Sequence, residues 1–275
     1  MSFETITLQK DSAIATITLN RPDRLNALNE KLLAELAVAL DDVSADSLVR
    51  VLVLTGSGKA FCAGGDFRYS DVKSGKTALE EAEDMRNLYS DIKTGRLPPE
   101  TSSIFINLMK MEKPTIAMVN GDAIGGGLDL ALCCDIRVGA ASARFSVGFT
   151  RIGLTPDSGG TWLLPRIVGL GKALEMIFTG DFFSAEECFR LGLLNRVVAL
   201  DNLKNETMTL AKKLADGPPI ALRLSKIQVY QGLEMNFETA LTVAAAYLNL
   251  TSSSRDHLEG IKAFIEKRKP IYDGT

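Results

Sequence analysis

The sequence contains the stretch GGGLD at residues 125–129, with FCAGGD upstream at residues 61–66 and TPDSGGT downstream at residues 155–161. Glycine has no side chain, so a reacting oxygen can approach the backbone N–H groups of such turns. Donors of this kind stabilise negative charge that develops on a carbonyl oxygen, by about 3 kcal/mol each in a site that excludes water. We therefore predict that the N–H groups of Gly65 and Gly126 form an oxyanion hole. The alternative is that the glycines only allow a strand and a helix to pack closely.

Strands and helices alternate along the first two thirds of the chain. Runs rich in apolar and β-branched residues predict strands, and amphipathic runs predict helices. The predicted strands are residues 5–9, Ile14–Leu19, 51–55, Thr115–Val119, Ile136–Ala140 and 196–199, and the predicted helices are residues 30–43 and 127–134. A repeated order of strand, glycine turn and helix is typical of an α/β core, not of separate α and β domains.

The pattern changes after residue 200. From residue 202 onward, successive amphipathic stretches predict helices at residues 208–214, 218–232, 234–248 and 253–269. We predict a catalytic core over residues 1–200 and a helical oligomerisation region over residues 201–275, because short helices with apolar stripes need a second surface to pack on. Residues 71–103 are polar and charged. They predict either a mobile segment that could lie over a site or an exposed helical hairpin without a role.

The composition is ordinary for a soluble globular protein, with 46% hydrophobic and 24% charged residues in a chain of 275. A net charge of −3 gives no general attraction to nucleic acid, so DNA or RNA binding is not expected. The N-terminal segment does not have the pattern of a signal peptide, and no apolar run reaches the roughly 18 residues of a membrane span. The four cysteines lack metal-site spacing. They fit reduced core thiols, so we expect a cytoplasmic protein without a metal.

Together, these motifs resemble the crotonase (enoyl-CoA hydratase/isomerase) superfamily over nearly the whole chain. The matching motifs, in order, are NRP (20–22), LNAL (25–28), FCAGGD (61–66), KP (113–114), NG (120–121), GGGLDLA (125–131), CD (134–135), GGT (159–161), LPR (164–166) and EKR (266–268). The resemblance implies a spiral of repeated ββα units, a C-terminal helical trimerisation region, and assembly as a homotrimer or a dimer of trimers. It also implies acyl-CoA thioesters as substrates without a further cofactor, and thioester-oxygen donors at Gly65 and Gly126.

The resemblance places two positions of hydratase glutamates at Asp129 and Phe149. Adding water to a double bond needs one group that activates the water and another that delivers a proton. Phe149 can do neither, so we expect isomerisation of a 3-enoyl to a 2-enoyl thioester, or rearrangement of a ring-derived acyl-CoA, in preference to hydration. Phe149 is instead predicted to form an apolar wall around the acyl chain, together with Leu154 and Trp162.

Asp157 is the predicted catalytic base. It stands where the hydratases usually have glycine, and where isomerases of the dienoyl-CoA and epoxyphenylacetyl-CoA types present an acidic residue. One carboxylate can remove the proton at Cα and return it at Cγ while the oxyanion hole holds the dienolate. The alternative is that Asp157 caps the helix that begins near Gly159. Asp129 is either a helper, as a second acid or a water-orienting group, or is held by backbone amides near the glycine turn.

The resemblance also implies CoA contacts at Arg24, Ala63, Asp66, Phe264 and Lys267, and in the family the contact at the Lys267 position often comes from a neighbouring subunit. Alternatively, the basic run that begins at Lys267 is only a solvated helix face.

Three other functions stay open at this stage. A hydratase of enoyl-CoA or a cyclic dienoyl-CoA could act through Asp129 and a water. An aryl-CoA dehalogenase would use Asp157 as a nucleophile, but its helper histidine is missing, because the single histidine is His257 among the C-terminal helices. A non-catalytic CoA-binding scaffold is disfavoured by the retained glycines and the two acids.

Overall fold

The computed structural model describes residues 3–66 and 103–275, and a six-stranded sheet forms the centre of this part. Its strands are β1 (Ile6–Asp11), β2 (Ile14–Leu19), β3 (Val51–Gly56), β5 (Thr115–Val119), β7 (Ile136–Ala140) and β10 (Arg196–Val198). Their order is β1-β2-β3-β5-β7-β10. β1 pairs antiparallel with β2, and all other neighbours are parallel. Because helices cover both faces of a parallel sheet, β3 and β5 are continuous runs of buried residues.

The chain forms a second, smaller sheet from strands that alternate in sequence with those of the large sheet. It consists of β4 (Ala60–Cys62), β6 (Asp122–Ile124), β8 (Arg144–Ser146) and β9 (Phe183–Ser184), in the order β4-β6-β8-β9. Only β9 runs antiparallel to its neighbour. Three times along the chain, a strand of the large sheet is followed by a strand of the small sheet, in the pairs β3/β4, β5/β6 and β7/β8. This repetition confirms the predicted α/β class and the spiral of ββα units.

The helices of the described residues follow the strands and flank the two sheets. They are α1 (Glu30–Ala45), α2 (Ser103–Lys110), α3 (Gly126–Leu132), α4 (Gly160–Val168), α5 (Leu170–Thr179), α6 (Ala185–Arg190), α7 (Leu200–Ala215), α8 (Pro219–Gly232), α9 (Phe237–Ser252) and α10 (Arg255–Glu266). α1 illustrates how the sequence sets these elements. The side chain of Asn29 accepts a hydrogen bond from the Leu32 N–H at 3.0 Å and so caps the first turn. Leu32, Leu36 and Leu40 then recur at helical spacing and are buried against the sheet.

The C-terminal part is helical, as expected. α7 packs on β3, β5 and β7 through buried Leu203 and Ala211. The predicted division between residues 200 and 201 falls at the start of α7, and it stays a prediction. The mobile segment predicted over residues 71–103 lies outside the described residues, apart from Ser103, where α2 begins. Across the two described ranges, no helix is long and apolar enough to cross a membrane.

Two glycines allow the end of β4 and the residues after it to pack against the end of β6 and the start of α3. A Cβ atom on Gly127 would lie 2.2 Å from the carbonyl oxygen of Cys62, and a Cβ atom on Gly64 would lie 2.8 Å from that of Ile124. Real Cβ atoms do not approach backbone oxygens so closely, so both positions need glycine. The close packing that was offered as an alternative role for the glycines is therefore present, and it brings the FCAGGD and GGGLD segments together.

We expect Gly127→Ala to lower the free energy of unfolding by about 1–3 kcal/mol, because the new methyl group must push α3 away from β4. The matched control is Gly171→Ala in α5, where an added Cβ meets nothing within 4 Å. The control should be neutral or stabilising by roughly 0.5–1 kcal/mol, because alanine favours a helix over glycine. Urea denaturation at a fixed protein concentration measures both. Equal losses in the two variants would contradict the packing argument.

Candidate active site

The first element of the site is the extended segment around Gly65. The Leu28 N–H donates to the carbonyl oxygen of Gly64 at 2.7 Å, and the Asp66 N–H donates to the carbonyl oxygen of Leu28 at 2.9 Å. Successive peptide groups of an extended chain point to opposite sides. The Gly65 N–H therefore points away from Leu28 and towards the opposite side of the segment.

The second element is the start of α3 at Gly126, directly after the helix N-cap Gly125. The N–H groups of a first helical turn have no acceptor within their own helix, so the Gly126 N–H is available to a ligand. The nitrogen of Gly126 lies 3.5 Å from the position that a Cβ on Gly64 would take. The structure therefore brings the two predicted oxyanion-hole segments into direct contact.

Asp129 lies one turn after Gly126 in α3 and is buried, with an exposed fraction of 2%. Its carboxylate accepts a hydrogen bond from the Gly160 backbone N–H at the start of α4. A Cβ on Gly160 would lie 2.1 Å from Asp129 Oδ1, so only glycine fits above this carboxylate. Among the described residues, Oδ2 has no hydrogen-bond partner. The carboxylate joins α3 to α4, as in the alternative that has it held by a backbone amide.

Burial and the nearby charge of Asp157 raise the pKa of Asp129 from its ordinary value of 3.8 to about 7, while the Gly160 N–H works in the opposite direction. Burial acts because it removes water from the charged form, and Asp157 acts because two like charges repel. At neutral pH, Asp129 is therefore a mixture of a neutral acid and a carboxylate. The two acids predicted from the sequence are electrostatically coupled.

Asp157 lies in the turn that leads into α4, and its side chain is exposed in the single chain. The N-cap of α4 is Gly159, which has no side chain, so Asp157 is not the N-cap residue of this helix. The capping role that the sequence left open is therefore absent. Instead, Asp157 Oδ1 accepts a hydrogen bond from the Ser158 hydroxyl at 2.7 Å. Ser158 Oγ also lies 3.5 Å from the position of a Cβ on Gly126, which places Ser158 between the acid and the glycine turn.

Asp157 and Ser158 line a cavity of 520 Å³ that is bounded by α2, α3, α4 and α8. Its lining, besides these two residues, is Phe105, Ile106, Met109, Lys110, Cys133, Gly159, Trp162, Leu163, Tyr230, Gln231 and Glu234. Volumes of about 300–1,000 Å³ are usual for small-molecule sites. A predicted base thus faces a mostly apolar space of the size of a binding site.

The three residues of the predicted acyl wall occupy different places. Trp162 lines the cavity, and the Arg166 guanidinium stacks on its ring at 3.9 Å. Leu154 is 43% exposed, and Phe149 is buried with its ring beside the turn at Gly125. Neither Leu154 nor Phe149 is among the described residues that line the cavity. The ring of Phe149 instead packs against the glycine turn, 3.7 Å from the position that a Cβ on Gly125 would take.

The predicted CoA contacts fall into two groups. Arg24, Ala63 and Asp66 belong to one region of the fold, where the Ala63 N–H donates to the Leu25 carbonyl oxygen at 3.0 Å. Arg24 is exposed in a short 3₁₀ turn, and Asp66 forms an ion pair with Arg21 at 2.6 Å.

The second group lies at the end of α10. Phe264 is 86% exposed, and Lys267 is the left-handed C-cap residue of this helix. Both side chains therefore belong to an element that is distant in sequence from the first group.

Sequence reasoning missed the contribution of α8 to the cavity. Tyr230, Gln231 and Glu234 come from the end of this helix and the turn after it. Half-buried Asp135 fixes α8, because it accepts a hydrogen bond from the Tyr230 hydroxyl at 2.9 Å and pairs with Lys226 at 2.8 Å. The CD motif at residues 134–135 was a signal for this anchor, but its partners on α8 could not be read from spacing.

All four cysteines are free and buried, and burial raises the pKa of the Cys62 thiol to about 12. Within residues 3–66 and 103–275, no group of three or more His, Cys, Asp or Glu side chains could hold a metal ion.

Comparison with known proteins shows the family of this chain. The model of the family described as enoyl-CoA hydratase/isomerase matches residues 9–275. The chain belongs to the enoyl-CoA hydratase/isomerase family. Among its relatives, the crotonyl-CoA hydratase of Syntrophomonas wolfei is 37% identical over 270 residues, which are 98% of each chain. The 1,2-epoxyphenylacetyl-CoA isomerase of Escherichia coli is 36% identical over 264 residues, which are 96% of each chain.

Solved structures of the enoyl-CoA hydratase/isomerase family agree with this fold. The enoyl-CoA hydratase of Bacillus anthracis matches with a TM-score of 0.86 at 34% identity, over 99% of this chain and 100% of that chain. Hydratases and an isomerase match this chain at almost the same identity. The reaction is therefore best inferred from the residues of the site.

The raised pKa of Asp129 predicts a pH-dependent effect of Asp129→Asn on stability. The folded protein binds the proton of the Asp129 carboxyl group more tightly than the unfolded chain does. The stability that this bound proton contributes is therefore present below about pH 4 and is lost as the pH rises towards 7. We expect the variant to gain stability relative to the wild type over this range, by at most about 1.4 kcal/mol for each unit of the pKa shift. Urea denaturation of both proteins between pH 4 and 8 measures the difference. A difference that stays constant with pH would contradict the assignment.

Proposed function

We propose that this protein is an acyl-CoA isomerase that converts a 3-enoyl thioester into a 2-enoyl thioester, or rearranges a ring-derived acyl-CoA, through an enolate. The observation that carries the proposal is the exposed carboxylate of Asp157 in the cavity, beside the glycine turn. The second hydratase position is held by buried Phe149, which has no proton to transfer. One acid at the cavity is sufficient for moving a double bond and insufficient for the two-acid addition of water.

In the proposed reaction, the thioester oxygen accepts hydrogen bonds from the N–H groups of Gly65 and Gly126. Asp157 removes a proton from Cα, and the charge that develops on the oxygen is stabilised by the two backbone donors. The protonated carboxyl of Asp157 then returns the proton at Cγ, so the double bond moves with no net uptake of water. Asp129 is the helper in this proposal, because it bonds to the Gly160 N–H in the helix that follows Asp157 and because the charge of Asp157 raises its pKa.

The second candidate function is hydration of an enoyl-CoA or a cyclic dienoyl-CoA. The relatives named as hydratases favour it. It would require Asp129 to reach a water beside the substrate, whereas Asp129 is 2% exposed and bonds to Gly160. Isomerisation is therefore the proposal that the position of the two acids supports better.

We also propose that the enzyme acts as a homotrimer or a dimer of trimers. Support comes from the apolar side chains that α8, α9 and α10 expose in the single chain, among them Val229, Leu233, Phe237, Leu241 and Phe264. Such a surface is unusual for a monomer. In an assembly of this kind, Phe264 and Lys267 would contact the CoA nucleotide of a neighbouring subunit, with Arg24, Ala63 and Asp66 contributing from the subunit that holds the acyl group.

We expect Asp157→Asn to lower kcat for 3-enoyl-CoA isomerisation by about a thousandfold or more, because the amide can neither accept nor return the proton. Asp201→Asn, at an exposed aspartate of α7, is the matched control and should retain full activity. Mass spectrometry and NMR of the products identify the reaction. A product that gains one water, formed equally well by Asp157→Asn, would contradict the isomerase and assign hydration instead.

Ser158 is expected to position Asp157 through the 2.7 Å hydrogen bond. We expect Ser158→Ala to lower kcat about tenfold with little change in KM, because a hydrogen bond to a charged group contributes roughly 1.5–3 kcal/mol and here orients the base. Ser158→Thr keeps the hydroxyl and should restore most of the rate. Steady-state kinetics on the three proteins test this. A rise in KM without a fall in kcat, or no rescue by threonine, would contradict a positioning role.

A further inference from the structure

The size of the cavity beside Asp157 carries information about the acyl group. An apolar cavity of roughly 150 Å³ is sufficient to bind benzene. The cavity of 520 Å³ is more than three times larger. A four-carbon acyl group would leave most of this space filled with water, and the apolar walls would stay in contact with that water.

The lining residues of the cavity are apolar in its interior and polar at its rim. Phe105, Ile106, Met109 and Leu163 are buried or half-buried, and they line the cavity from α2 and α4. The polar lining residues Lys110, Gln231 and Glu234 are exposed. An apolar interior with a polar rim favours a long or ring-bearing hydrocarbon group.

The wall contributed by α8 is part of the same chain and is fixed in place. Lys226 contacts Asp135 at 2.8 Å and the carbonyl oxygen of Lys113 at 3.1 Å. Tyr230 lines the cavity and donates its hydroxyl proton to Asp135 at 2.9 Å. Because Asp135 also accepts from the Thr115 N–H of β5 at 2.8 Å, the helix is tied to the central sheet. The cavity therefore keeps its width without depending on a ligand to hold α8.

We infer that the cavity selects acyl-CoA thioesters whose acyl group has about eight carbons or more, linear or ring-bearing, over the four-carbon crotonyl group. The inference rests on the proposed function, because it assigns the cavity beside Asp157 to the acyl chain. It separates this chain in substrate size from relatives that are named for crotonyl-CoA or short-chain enoyl-CoA. Each added methylene that enters the cavity exchanges water for apolar contacts and tightens binding.

Binding of saturated thioesters tests the inference without any turnover. Isothermal titration of the wild-type protein with butyryl-, hexanoyl-, octanoyl- and phenylacetyl-CoA gives the Kd of each. We expect Kd to fall about fourfold per methylene, or roughly 250-fold over the four methylenes from butyryl- to octanoyl-CoA. Phenylacetyl-CoA should bind within about tenfold of octanoyl-CoA.

A variant that fills the cavity locates the effect. Ile106→Trp should weaken octanoyl-CoA at least tenfold and leave butyryl-CoA nearly unchanged. The matched control is Leu48→Trp, at a residue that is 78% exposed and outside the cavity lining. This variant should show the same dependence of Kd on acyl chain length as the wild type.

The outcomes separate this inference from the proposed function. Equal Kd values for butyryl- and octanoyl-CoA would overturn the inference alone. A steep dependence on chain length that survives Ile106→Trp unchanged would also overturn it, because the chain would then bind elsewhere. Failure of every thioester to bind would overturn both the inference and the proposed function. A steep series in a protein that isomerises no enoyl-CoA would support the cavity assignment and contradict the proposed reaction.

Discussion

The contact between the end of β4 and the first turn of α3 is the constraint on which the site depends. The carbonyl oxygen of Cys62 occupies the space that a side chain at Gly127 would need, 2.2 Å from the position of its Cβ. This approach places Gly64 beside Ile124 and brings the Gly65 and Gly126 segments together. Neither segment could offer two converging backbone donors alone. Two strand–helix units of the spiral must therefore pack correctly before the site exists.

The two acids of the site differ because their surroundings differ. Asp129 is enclosed between α3 and α4, where burial and the charge of Asp157 raise its pKa to about 7. Asp157 lies in the turn before α4, lines the cavity and shares a hydrogen bond with Ser158. Gly160 links the two acids. It is the first residue of α4, which follows Asp157 in the chain, and its backbone N–H donates to the carboxylate of Asp129. In the proposed mechanism, the buried acid holds the turn and the exposed acid transfers the proton.

The sequence was most informative where one strand or one helix has a strong pattern of its own. The bounds of Ile14–Leu19, Thr115–Val119 and Ile136–Ala140 agree with β2, β5 and β7, because these are runs of apolar and β-branched residues. The strands of the small sheet have only two or three residues, which are too few to show an alternating pattern. The sequence pattern therefore predicted none of these strands. The wall made by α8 depends on contacts of Asp135 with Lys226 and Tyr230, and local pattern cannot reveal contacts between residues so far apart. The glycine-rich turns alone predicted Gly65 and Gly126 as donors, and the family resemblance agreed with them. The resemblance supplied the spiral and the role of Asp157, whereas the role of Asp129 needed its burial and partner.

Enolate formation by Asp157 and the two glycine amides is tested by exchange of the Cα protons of octanoyl-CoA with deuterated water, followed by NMR. This thioester has no double bond to move, so exchange reports only whether the enzyme forms an enolate. We expect exchange catalysed by the wild-type protein and no catalysed exchange by Asp157→Asn. Exchange that persists in Asp157→Asn, or that is absent from a wild-type protein shown to bind octanoyl-CoA, would contradict the claim that Asp157 and the two glycine amides together form an enolate.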